Sequence, residues 1–368
     1  MLAKTLKALA FSTALAAVAL PQLAHAQPPP PPKTDYKAPR AADGHPDLGG
    51  DWTNASLTRL ERDAKFGDHI VLTEPEAAQI EGRNKALADL GNKPTDPKAT
   101  VKDLPSDCSD GRGDNCNYNA AWTDPGTTVM RVAGKPRSAF ITTTPDGKVP
   151  PLTPLGAARM KTVIAAYRGE HINDNPETRS LGERCILSFG NSAGPVMLPL
   201  LYNNQYEIVQ TRDNVAIVVE MVHDLRTVRM NAAGHLPPMV KPWMGDSVGH
   251  WEGETLVIET TNFNPKQNFR GASENLKVTE RLTRVAKDRL HYAFWVEDPT
   301  TFTKPWGGEY EFSRAPGRMY EYACHEGNYA LGDILSGARE EDRTGVKTAP
   351  TNIDKAGRTS GGEGGDGR

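Results

Sequence analysis

The chain has 368 residues, with 43 Lys and Arg against 46 Asp and Glu and a formal net charge of −3. Charges of both signs are scattered along it, which argues against nucleic acid or an anionic membrane surface as a partner. The length is ample for a hydrophobic core, in one large domain or two small ones.

The first residues read as an export leader. Lys4 and Lys7 precede an uncharged apolar run, residues 8–20, followed by Leu23-Ala-His-Ala-Gln27 with cleavage expected after Ala26. The run is too short to cross a bilayer, which takes about 20 residues, and no later stretch is longer, so the mature chain is expected to be periplasmic or secreted, without membrane insertion. Residues 27–42 form a proline-rich leader expected to be disordered or to wrap over the surface. Residues 343–368, rich in Gly, Thr, Asp and Lys, read as a disordered tail. A single β-rich domain is expected over residues 43–342.

Thr73-Glu-Pro-Glu76 starts a helix: Thr73 caps, Pro75 suits the first turn and Glu76 completes a capping box, with the stop at Gly91. Thr153-Pro154 starts a second helix, to about Tyr167. Residues 127–132 and 138–143 alternate like two strands around a turn at 134–136. Beyond Tyr202, β-branched runs dominate. Residues 206–210 and 215–222 read as a hairpin, and further strands are expected at 227–230, 255–260, 276–285, 289–297, 308–313 and 320–324. Short strands at regular spacing predict an antiparallel barrel or sandwich behind a loop-rich, partly helical first half.

Cys108, Cys116, Cys185 and Cys324 all lie in the exported part, where thiols oxidise. The short polar loop between the first two favours Cys108 with Cys116, leaving Cys185 for Cys324; a metal site or a nucleophilic thiol is the rival reading.

Strand alternation places carboxylates on otherwise apolar faces: Glu220 with Val218 and Val222, Glu280 with Val278 and Leu282, Glu259 with Val257. A buried carboxylate must be paired, hydrogen-bonded or protonated, and nearby arginines such as Arg226 and Arg281 offer a purely structural answer. Three histidines stand beside acids: His223 before Asp224, His250 near Glu252, and His325 before Glu326. His45, His69, His171 and His291 read as surface or packing residues. His223, His250 and His325 are therefore the candidate proton-transfer groups, with Glu220, Glu252 and Glu280 as bases or orienting partners. Tyr202, Asn204, Trp251, Trp306 and Tyr329 are candidates for holding a ligand ring or its polar edge.

The phrases Gly249-His-Trp-Glu-Gly-Glu-Thr-Leu256, running on to Thr260-Thr-Asn-Phe263, and Tyr320-Glu-Tyr-Ala-Cys-His-Glu-Gly-Asn-Tyr329 resemble those of a large group of exported bacterial proteins of unassigned function. So do Asp43-Gly-His-Pro-Asp47, Glu220-Met-Val-His-Asp224, and Glu274-Asn-Leu276 with Glu280-Arg281. The resemblance spans nearly the whole mature chain and implies a shared fold without implying a reaction. The second half is also similar to lipocalin-like barrels. Gly-rich nucleotide loops, Gly-x-Ser-x-Gly elbows and heme motifs are not found, so no organic cofactor and no metal is expected. The expectation is a lyase or isomerase acting by acid–base chemistry on a small apolar or aromatic molecule. The alternatives are a lipocalin-like binding protein and a metal-dependent hydrolase. Oligomeric state is not readable.

Overall fold

The computed structural model describes residues 28–91, 97–98, 124–166, 172–189, 194–267 and 269–346. The expected signal peptide, the Cys108–Cys116 pair and the tail from residue 347 lie outside the described residues. Among the described residues three α-helices form: α1 (Glu74–Gly91), α2 (Pro154–Ala166) and α3 (Ala330–Thr344). The capping box at α1 is made, Glu76 Oε2 accepting from Thr73 N at 2.7 Å and Glu76 N donating to Thr73 Oγ1 at 3.4 Å. Thr153 Oγ1 caps α2 by accepting from Gly156 N at 3.0 Å.

The strands are β1 (Gly50–Thr53), β2 (Arg131–Val132), β3 (Lys135–Pro136), β4 (Gln205–Gln210), β5 (Asn214–Val219) and β6 (Leu225–Met230). β7 (Asp246–Glu252), β8 (Thr255–Thr261), β9 (Lys277–Ala286), β10 (Arg289–Glu297) and β11 (Trp306–Arg314) follow. All but β2 and β3 close into a lipocalin-like barrel in the order β1-β11-β10-β9-β8-β7-β6-β5-β4, with β1 bonded to both β11 and β4. Every pairing is antiparallel except β6 with β7. The expected β-rich barrel is thus the observed fold.

The proline-rich leader follows the second of its two expected readings: residues 28–40 run extended over the barrel, with Ala38 buried and Thr34 Oγ1 donating to Val285 O at 3.1 Å. Several local expectations are corrected. β5 ends at Val219, so residues 220–222 leave the strand. Residues 138–143 do not pair with 127–132. They run instead beside β11, Glu309 N donating to Phe140 O and Thr142 N to Gly307 O, and extend the wall where β1 is too short. Gly308 permits that approach, since an added Cβ would lie 2.0 Å from Phe140 O. Residues 320–324 form no strand, and the chain beyond Tyr329 forms α3, which was not anticipated.

One residue in two along each strand points into the barrel, and the interior is filled. Trp52, Tyr206, Ile217, Val228, Ile258, Leu282, Phe294 and Phe312 are all buried there. Among them sits a fully buried ion pair between Arg226 of β6 and Glu280 of β9. Arg226 Nη1 donates to Glu280 Oε1 at 3.0 Å, Arg226 Nε to Ser247 Oγ at 3.1 Å and Nη2 to Thr260 Oγ1 at 3.3 Å. Tyr292 donates its hydroxyl to Glu280 Oε1 at 2.8 Å. Burial, with the Glu280 charge adding to it, holds the Tyr292 phenol well above its ordinary range, so it stays a donor.

Both barrel ends are stoppered. At one, Leu48 is buried, its N–H bonded to Gln210 Oε1 at 3.2 Å, and Arg284 Nη1 reaches Asp47 O at 2.8 Å. At the other, Val196, Met197 and Leu198 are buried: Met197 N donates to Tyr292 Oη at 3.2 Å, and Asn54 Nδ2 and Tyr310 Oη donate to Met197 O.

Removing one member of the Arg226–Glu280 pair leaves a buried charge without its partner. Arg226→Met or Glu280→Leu alone is expected to cost ~3–5 kcal/mol, while the double variant recovers much of that loss. Urea unfolding of the three variants checks it; additive losses would refute the coupling.

Candidate functional site

The side chains nominated from sequence do not come together on one cavity. Glu280 is locked to Arg226 in the barrel interior. His250 is exposed on the outer face of β7, 3.2 Å from Glu252, whose carboxylate also pairs with Arg281 at 2.8 Å. His223 is exposed in the short turn Met221–His223 that follows β5. The antiparallel pairing of β5 with β6 and the parallel pairing of β6 with β7 put His223 and His250 at opposite barrel ends. Glu220 is buried and accepts from Gln205 N at 3.1 Å. His325 is exposed after Cys324. The expectation that these groups surround one hollow is therefore corrected, and the reason is local: most of the acids find an arginine or a backbone N–H nearby.

The nominated ligand-holding residues are dispersed as well. Trp306 is buried among Phe269, Phe294 and Phe302. Asn204 staples a loop, accepting from Leu200 N at 2.6 Å and donating to Asp124 O at 2.7 Å. Trp251 stacks on His45 with ring centroids 4.9 Å apart, Tyr202 packs half-buried against the core, and Tyr329 is exposed. His291, read as a packing residue, is fully buried on the outer face of β10. Its Nε2 lies 3.0 Å from Glu309 Oε2, and Glu309 Oε1 accepts from Arg137 at 2.6 Å.

A concavity lies outside the barrel. A groove of about 420 Å³ runs between residues 179–189 and the segment leading into α3. The Cys185–Cys324 disulfide, joining residues 139 apart in sequence, ties its two walls together. This bond matches the expected pairing. Phe189, Tyr322, Leu331 and Ile334 supply the apolar lining, with Arg179, Glu183, Glu321 and Asn328 as polar members. The Phe189 ring lies over Gly182, where an added Cβ would stand 2.5 Å from Cδ1, so only glycine permits this seat. Arg179 is spent on Glu183 and on Asn173 Oδ1 at 2.7 Å, and Glu183 Oε2 accepts from both Ser180 N and Oγ at 3.0 Å. In the sequence only the cysteine pairing pointed here; Phe189 and Leu331 carried no sign of sharing a groove.

A second polar neighbourhood lies at the end of β5. Val222 and His223 both adopt left-handed φ, 63° and 50°, which costs energy for residues with a Cβ. Beside them burial raises the Asp224 carboxyl to about 7, and burial together with the Glu220 charge raises Asp124. Among the described residues, no three or more His, Cys, Asp or Glu are placed to hold a metal ion, and no helix is long and apolar enough to cross a membrane. Comparison with protein-family models, with curated proteins and with solved structures returns no match.

Asp224 makes stability depend on pH in a definite direction. Its folded pKa lies above the ordinary 3.8, so between about 4 and 7 the native state holds the proton more tightly than the unfolded chain. Its contribution is therefore full below that window and lost as pH rises through about 7. Asp224→Asn should flatten this slope and stabilise the protein at pH 8 by ~2 kcal/mol, half the full linkage because the group is partly solvated. Thermal unfolding from pH 4 to 8 reads it; an unchanged slope would show that burial does not act on this carboxyl.

Proposed function

We propose that this chain is an exported small-molecule binding protein whose ligand sits in the disulfide-tied groove and not in the barrel. The filled interior carries this reading: Arg226, Glu280 and the surrounding aromatics occupy the space in which an open barrel would hold its ligand. The groove supplies what the interior lacks. Its volume lies in the range of small-molecule sites, roughly 300–1,000 Å³, and it combines an apolar lining with a few polar groups. Phe189, a large apolar side chain, is 40% exposed at its wall. The disulfide supports export to an oxidising compartment.

The neutral fluorophore N-phenyl-1-naphthylamine tests this. Saturable single-site binding is expected, weakened at least about tenfold by Phe189→Ala or Leu331→Asp, with both variants melting close to the parent. Binding that ignores both substitutions would remove the groove from consideration.

Acid–base chemistry of lyase or isomerase type is a second reading, favoured by one observation. Asp224, its carboxyl raised to about 7, directly follows an exposed histidine on a strained turn. That reading requires turnover of an apolar or aromatic substrate to follow a group titrating near pH 7 and to fall about 100-fold or more in Asp224→Asn. No observation favours the metal-dependent hydrolase over these two.

A further inference from the structure

We infer that the groove selects an organic cation, a small ammonium compound bearing an aromatic or aliphatic body. This inference rests on the groove being the ligand site. It follows from how the charges there are spent. Arg179, the guanidinium lining the groove, is already committed to Glu183 and Asn173. Arg184, the next residue after Glu183, is not among the lining residues. Glu321 lines the opposite wall, is exposed, and has no hydrogen bond or ion pair among the described residues.

The whole stretch from Glu321 to Ile334 contains Glu321, Glu326 and Asp333, with no Lys or Arg to offset them. Among the lining residues Arg179 is offset by Glu183, so Glu321 leaves the groove one unneutralised negative charge, with Glu326 and Asp333 nearby in sequence but not in the lining. Two aromatic side chains, Phe189 and Tyr322, share the lining with Glu321. A ring face attracts an ammonium group through its quadrupole, and a neighbouring carboxylate adds a Coulomb term. An anionic ligand would meet the opposite: a like charge at Glu321 and no free cation to receive it. A carboxylate beside aromatic surface, with the local arginine already neutralised, thus favours a cation over an anion of the same shape.

Three probes of closely matched size separate charge from shape: benzyltrimethylammonium, neutral neopentylbenzene and anionic phenylacetate, each titrated into the full disulfide-bonded chain by calorimetry or ligand-observed NMR. The cation should bind tightest. Its affinity should fall about fivefold in Glu321→Gln and in 0.5 M salt, with neopentylbenzene unchanged in that variant, and all binding should fall in Phe189→Ala. Phenylacetate or neopentylbenzene binding as tightly as the cation at a site sensitive to Phe189→Ala would overturn the charge selection while leaving the groove as the site. Probe binding that is absent or indifferent to Phe189→Ala would overturn the site itself, and this inference with it. Glu321 is exposed, so its variant leaves the fold intact.

Discussion

The ion pair between Arg226 and Glu280 is the constraint around which the molecule is arranged. Two charges with no solvent access survive in a barrel only if their remaining valences are met, and Ser247, Thr260 and Tyr292 meet them from three other strands. That requirement fixes the registers of β6 to β10 relative to one another, because a slip of one residue would turn Glu280 out and leave Arg226 bare. It also bears on where a ligand can sit. A barrel that spends its centre on a polar knot, with buried aromatics packed around it, has no room for a guest.

The stoppers at both ends follow from the same filling. Leu48 enters beside Gln210, and residues 196–198 bind the hydroxyls of Tyr292 and Tyr310, so backbone from the first half of the chain completes the core that the strands begin. The loop-rich first half is lid and buttress, and the bridge of residues 138–143 to β11 makes part of it barrel wall. A groove is left where this covering meets the C-terminal arm.

The fold was legible because its signals are local. Alternation along residues 276–297 gave β9 and β10 nearly to the residue, and Thr73 with Glu76 gave the start of α1. β7 was missed because Asp246-Ser-Val-Gly-His-Trp-Glu252 offers few β-branched residues and pairs in parallel with β6 across a long connection. α3 was missed although Leu331, Ile334, Leu335 and Ala338 recur at helical spacing, because residues 330–342 close the expected β-rich domain with no element assigned to them. The site was barely legible. An acid beside a histidine in sequence does not reveal the arginine that strand pairing delivers, as Arg281 is delivered to Glu252 from β9. Glu280 was correctly placed among Val278 and Leu282, yet its role depended on Arg226, 54 residues away.

The groove differs from the barrel in that a covalent bond joins its two walls. Among the described residues no strand follows β11, and α3 fully buries Leu335 alone, with Leu331, Ile334 and Ala338 half-buried. That burial is modest, since even a fully buried aliphatic side chain contributes only about 1.5–3 kcal/mol. Cys185 and Cys324 supply a further constraint by closing a loop of sequence separation 139, and chain entropy makes closure of so long a loop strongly stabilising. The barrel's polar centre and apolar packing come from its own strands. The wall carrying Tyr322, Glu321 and Leu331 is joined to the body by the Cys185–Cys324 bond, so oxidation of this pair bears on the groove more directly than on the barrel.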